Sequence, residues 1–348
     1  MSGRLKLRRG VVVSADPLLV EVDGRRRPAW ADEVLLGEMR EGDEVVVNVA
    51  ALDLELGSGG SDVVHVNLSR SLKGDGVEGG AHVMKLNYTS LQHPVEPVEE
   101  KSVRLTDATQ PKGAPIPVLV LPLHGHLAPA AWAVAQVVPE LRVGYVQTAG
   151  GALPGSLSRD VKELRERGLL AGHITAAPAY GGEREALSTV GAVTAAGELG
   201  WGAVIVGPGP GIIGSNTEFG HGGMAALDSA HAALSLRRPT VISPRLSSSD
   251  PRERHLHLSH HTFTVLELLL GEVDVAVPEA DLPGAPEAKR DLTEAAGDRH
   301  HLRGVPVDLE GYREASLPTK TMGRSLTDDP LFFAAPLAAG THLARVAR

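Results

Sequence analysis

The chain of 348 residues is 42% hydrophobic but only 3% aromatic, so it can bury a sizeable core built from Val, Leu, Ile and Ala. Its formal charge of −9 leaves no basic excess to drive counterion release, which argues against nucleic acid as a partner. With no cysteine, disulfides, thiolate nucleophiles and cysteine metal sites are excluded, and histidine, carboxylate and hydroxyl chemistry remain.

The start, MSGRLKLRRGVVV, has no apolar run of signal-peptide length, and no later stretch reaches the roughly 18 apolar residues of a membrane span. A cytoplasmic location without membrane contact is expected. Residues 1–75 read as short strands: LKLRRGVVVSA, LLVEVDG, EVVVNVAALDLEL and SDVVHVNL, separated by Asp-Gly and Gly-Asp turns. They predict a small β-domain, barrel or sandwich. Residues 76–115 are rich in Gly and Pro and suit a connecting segment, in which Lys85, Asn87 and Tyr88 either lie in an edge strand or lean over a cleft.

From residue 116 to 348 the rhythm becomes strand, loop, helix. Six apolar strands, from PVLVLPLHGH to EVDVAVPE, alternate with amphipathic stretches, which predicts a doubly wound, mainly parallel α/β domain of Rossmann-like type. In that reading the segment from Glu183, EREALSTVG, opens a helix. The alternative is a (β/α)8 barrel. Further on, LRGVPVD predicts a last strand, with helical stretches around it. The apolar helix AAWAVAQVV around Trp132, packed on both sides, predicts a homodimer interface.

The loops are unequal. Helix-to-strand connections are short, whereas strand-to-helix connections are long and carry His, Gly, Ser and Arg, which places a ligand site at the carboxyl ends of the strands. Gly209, Gly211 and Gly214 fit G-x-G-x-x-G after the strand AVIV, and their bare amides could surround an anion. A dinucleotide fingerprint would open directly into a helix, with an acid at the end of the next strand. Here the next strand ends in Pro244-Arg245-Leu246-Ser247, so NADP is the less favoured cofactor and a small anionic ligand the favoured one. Ser215, Asn216 and Thr217 extend this ligand loop or cap a helix, and Glu218 is a candidate base.

Histidines gather on the same rim. HGH, residues 124–126, ends the first α/β strand, and an H-x-H pair there can turn both rings to one side. DPRERHLHLSHHT adds His257 and His261, which would share a helix face if a helix began near Ser259, so His126, His257 and His261 are candidate ligands of a divalent metal, with Asp250 or Glu218 completing the shell. His124, Glu218 and His260 are the candidate catalytic groups, and Arg252 and Ser259 join the ligand loop as anion contacts. Three functions follow as alternatives: an enzyme acting on a small anionic metabolite, a metal-dependent hydrolase, or a ligand sensor without catalysis.

The stretches HVMKLNYTSLQHPVE, GPGPGIIGSNTEFGHGGMAALDSAHAAL and PRLSSSDPRERHLHLSHHTFTVLELLL resemble, over nearly the whole chain, a bacterial family known as domain of unknown function 3866. The resemblance implies a cytoplasmic bacterial protein and carries no activity with it.

Overall fold

A computed structural model describes residues 4–55, 59–70, 72, 81–101, 115–215 and 217–348. The chain divides into two units, Met1–Glu96 and Pro97–Arg348. In the first, β1 (Leu7–Ala15), β2 (Leu18–Val22), β3 (Arg25–Trp30), β4 (Glu44–Asn48) and β5 (Asp62–Asn67) close in the order β1-β2-β3-β5-β4, so the domain is a barrel rather than a sandwich. Alternation puts Val12, Val20, Val22, Val45, Val47 and Val64 inside. Strand β3, RRRPAW, is absent from the sequence reading because its arginines and proline look like a turn. Arg27 becomes tolerable there through ion pairs to Asp62 and Asp53 at 2.5 and 2.6 Å.

Two further differences concern this unit. AALD, read as part of a strand, forms the helix α1 (Ala50–Asp53). The unit also continues past residue 75 to an antiparallel pair, β6 (Val83–Lys85) with β7 (His93–Val95), in which Lys85 is buried while Tyr88 is exposed. Residues 102–114 of the expected connection lie outside the described residues.

The second unit is built on β8 (Val118–Val120), β9 (Val143–Thr148), β10 (Gly172–Ala176), β11 (Arg184–Ala186), β12 (Ala203–Pro208), β13 (Thr240–Ile242), β14 (Leu246–Ser247), β15 (His257–Leu258), β16 (Asp274–Glu279) and β17 (His301–Pro306). Eight of these form one sheet in the order β11-β10-β9-β12-β8-β13-β16-β17, every pairing parallel, while β14 and β15 pair separately. The sheet is open, with β11 and β17 at its edges, so the (β/α)8 alternative does not hold. Its order also departs from the 3-2-1-4-5-6 succession of dinucleotide-binding sheets, because β12 lies between β8 and β9. β11 occupies the start of the segment expected to be helical from Glu183, and the helix begins only at Thr189.

Right-handed crossovers explain how the sheet is covered. Moves from β8 to β9 and from β9 to β10 run one way along the sheet and place α2 (Leu127–Val137) and α3 (Arg159–Glu166) on one face. The moves back put α4 (Thr189–Ala195), α5 (Ala225–Ser235), α6 (His260–Leu268) and α7 (Ala285–Ala296) on the other. After α8 (Leu309–Glu314) and the hairpin β18 (Lys320–Thr321) with β19 (Arg324–Ser325), α9 (Pro330–Val346) packs against α2. Trp132 meets Tyr312 of α8 at 5.5 Å, so the second apolar side of α2 is covered within the chain.

Gly144 and Gly172 are register partners on β9 and β10, and the Trp201 indole lies across both. A β-carbon at Gly144 would overlap that ring. Gly144→Ala is therefore expected to cost about 1–3 kcal/mol through overpacking, read as a lower urea midpoint at unchanged slope. Among the described residues, no helix is long and apolar enough to cross a membrane.

Candidate functional site

In open parallel sheets, ligands collect where neighbouring strands send their connections to opposite faces. β9 and β12 are such neighbours, leading to α3 and α5 respectively. Their loops touch above the strand ends: a β-carbon on Gly150 would lie 2.6 Å from the Gly222 carbonyl, and one on Gly151 would strike the carbonyls of Gly209 and Pro210. Only glycine permits this approach. A groove of about 610 Å³ opens there, lined by Gly150, Gly151, Ile213, Gly214 and His221 among others.

His221 borders both the groove and a histidine cluster. It is held by a bridge to Gly214 and by the Gly222 amide donating to Ile213 O at 2.7 Å. His260 and His261 open α6, whose N-cap is Ser259. One ring nitrogen from each of His221, His260 and His261 lies within 4.8 Å of the others. The rings of His221 and His261 are stacked at 3.7 Å, and His255 stands 5.0 Å from His260 and 4.9 Å from His261.

Hydrogen bonds fix where the protons are. The His221 Nε2–H donates to the Glu218 carbonyl at 2.8 Å, and because a carbonyl can only accept, the neutral ring leaves Nδ1 as a bare lone pair. That Nδ1 and His260 Nε2 are buried without a hydrogen-bond partner among the described residues. His261 Nδ1 faces Arg245 Nη1 at 3.4 Å, and His255 Nδ1 meets Ser259 Oγ at 2.7 Å. Burial, reinforced by the neighbouring arginines and histidines, lowers His255 to about 3, His260 to about 4 and His261 to about 2, and burial also lowers His221. The cluster therefore presents neutral imidazoles, the form that ligates metals.

A charged network frames it. The buried carboxylate of Asp250 accepts from Arg252 at 2.9 and 2.8 Å and from Arg324 at 3.0 Å, with Arg245 at 3.5 Å. Arg324 also donates to Asp329, which accepts from Ser247 Oγ at 2.5 Å and from the Ser248 amide at 2.8 Å. Burial alone would raise Asp250, but the hydrogen bonds and charge of Arg252, with Arg324, hold it well below the usual carboxylate range. Asp250→Asn leaves Arg245 buried against an uncharged group. The expected loss is about 3 kcal/mol or more in urea unfolding at neutral pH.

Residues 29–340 match the family described as a protein of unknown function, DUF3866. The chain belongs to the DUF3866 family. No curated protein and no solved structure matches it. The match runs from within β3 to within α9, so the parallel sheet and the histidine cluster of this DUF3866 chain fall inside it, while β1, β2 and most of β3 of the barrel precede it.

Several sequence expectations for the DUF3866 chain are redistributed. His124 and His126 diverge: His124 bonds Ser158 at 3.0 Å and approaches Tyr145, whereas His126 bonds Ser243 at 2.9 Å beside Phe332. Both are buried, so His124 is not a free catalytic group, and His126 is not part of the metal-competent group. His257 is not on α6. It sits in the left-handed region at φ 57 and pairs with Ser247, which separates it from His261.

The ligand loop is largely self-bonded. Ser215 N donates to Gly220 O, Gly222 N to Ile213 O, Thr217 N to Ser215 Oγ, and Gly220 N to Thr217 Oγ1, so these amides are not available to an anion. Gly209 packs on Gln147, while Gly211, at φ 83, lines the groove with Gly214. Asn216 lies outside the described residues. Glu218 contributes its main-chain carbonyl and has an exposed side chain, which removes it as a buried base. Arg252 is committed to Asp250, Ser259 to capping α6 and bonding His255, and Arg245 and Ser247, which stand where a dinucleotide site would place its acid, to internal partners. Of the expected residues, His260 and His261 remain at the centre, and His221 joins them. The signal for His221 was its place at the end of a long strand-to-helix loop.

Proposed function

We propose that this chain is a divalent-metal-dependent hydrolase whose cation is held by His221, His260 and His261 and whose substrate enters the groove between the β9 and β12 loops. The observation that carries the reading is the buried His221 Nδ1, a lone pair with no proton and no partner among the described residues, grouped with nitrogens of two other neutral histidines. An all-nitrogen set suits zinc, iron, cobalt or nickel better than magnesium or calcium. Three protein ligands would leave coordination positions open, and a cation bound there would supply Lewis acidity and an activated water.

The protein's own part is orientation. Glu218 O fixes the His221 tautomer, the kind of outer contact that tunes ligand basicity, and Ser259 holds His255 behind the cluster, while the Arg245 N–H that faces His261 Nδ1 must yield that lone pair when a cation binds. The parallel His221 and His261 rings must turn for both lone pairs to converge on one ion, so uptake should move their ring resonances. Protein purified without a histidine tag is expected to hold or take up one equivalent of zinc, iron, cobalt or nickel. It should melt at a higher temperature when loaded and lose turnover of an ester and phosphoester panel on chelation. Failure of all four metals to bind stoichiometrically overturns the reading.

A further inference from the structure

Four arginines stand around the histidine cluster, and three are committed: Arg252 and Arg324 to Asp250, with Arg324 also on Asp329, and Arg245 to Asp250 and His261. Arg254 is different. It is half-buried, its Nε is buried without a hydrogen-bond partner among the described residues, and no carboxylate pairs with it there. It lies in the 3-10 turn Glu253–His255, directly before His255, and is near enough for its charge to bear on His260 and Arg245.

Charge counting points the same way. Arg245, Arg254 and Arg324 outnumber the buried carboxylates of Asp250 and Asp329, and the exposed Arg252 and Glu253 offset one another, so the surroundings of the cluster carry excess positive charge before any cation enters. Buried positive charge without a counterion is costly, and a planar guanidinium with a free donor is the side chain suited to a two-oxygen anion. Building on the metal-centre reading, we infer that the substrate carries an oxyanion group, phosphate or carboxylate, and that Arg254 receives it beside the histidines. Arg254 thereby replaces Arg252 as the anion-recognising residue.

The test is calorimetric titration of the metal-loaded full chain with inorganic phosphate and, separately, with acetate. At least one should bind one-to-one, and whichever binds tighter identifies the oxyanion. Arg254→Ala should weaken that binding roughly 10-fold or more, as expected for loss of a charged hydrogen bond, with Arg254→Lys intermediate and metal stoichiometry unchanged in both. Equal binding to wild type and Arg254→Ala, or binding of neither anion while metal binds, overturns the inference and leaves the metal centre intact. If no metal binds, the metal reading fails, and the same titrations on metal-free protein decide Arg254 alone. Should Arg254→Ala not fold, judged by circular dichroism, Arg254→Gln takes its place.

Discussion

Replacing His221 by alanine is expected to cut affinity for a divalent cation by about 100-fold or more, since loss of a ligand should cost at least as much as loss of an outer-shell contact. The secondary structure should survive, because His221 lies in a loop anchored by main-chain bonds: Gly222 to Ile213 and Ser215 to Gly220. The substitution also removes a buried lone pair that has no partner among the described residues, a defect worth about 1–3 kcal/mol. The combined signature is metal content falling below one-tenth of an equivalent with the melting temperature of the metal-free protein unchanged or higher. A purely structural histidine would show the reverse, retained metal content and a lower melting temperature.

The second large effect is acid sensitivity. His124, His126 and His173 are all buried, and burial first, with nearby positive charge acting on His126 and His173, lowers them to about 4, 3 and 3 from an ordinary 6.5. A group lowered on folding binds its proton more tightly in the unfolded chain. Stability is therefore complete above pH 6.5 and is lost as pH falls below it. Between pH 7 and 5.5 these three histidines together should cost about 4 kcal/mol, a large part of a typical folding free energy. Urea unfolding across that interval should show the midpoint falling steeply. His126→Gln should remove one histidine's share of the dependence, about 1 kcal/mol over that interval, because glutamine takes up no proton there. A midpoint independent of pH would contradict the burial of these rings.

Much of this architecture can be read from residue order alone. Unequal loop lengths pointed to the rim where the groove and the histidine cluster lie, and strand-and-helix alternation from residue 116 identified the parallel sheet, because both depend on local pattern. What local pattern cannot supply is the row in which the strands lie. His221 and His260 follow β12 and β13, and β8 stands between those strands, so their meeting depends on a long loop reaching across an intervening strand. HGH misled for a related reason: a 3-10 turn, rather than an extended strand end, carries it, and the two rings part. His257 misled because its φ of 57 breaks the chain direction just before α6, so the i, i+4 spacing never becomes a helix face. Strand β3 was unreadable as a strand until the distant partners of Arg27, Asp53 and Asp62, were in place.

The last long helix has a bearing on biosynthesis. One face of the sheet, including Leu119, Ile205 and Val241, shares its apolar cluster with Phe332, Phe333, Leu337 and Leu343 of α9. Until the ribosome has released residues up to about 346, that face has only α2, α3 and α8 as cover, and the nascent domain leaves exposed the apolar surface that α9 would meet, which invites chaperone engagement. Truncation before Pro330 should therefore yield insoluble product even though every strand of the sheet has been made.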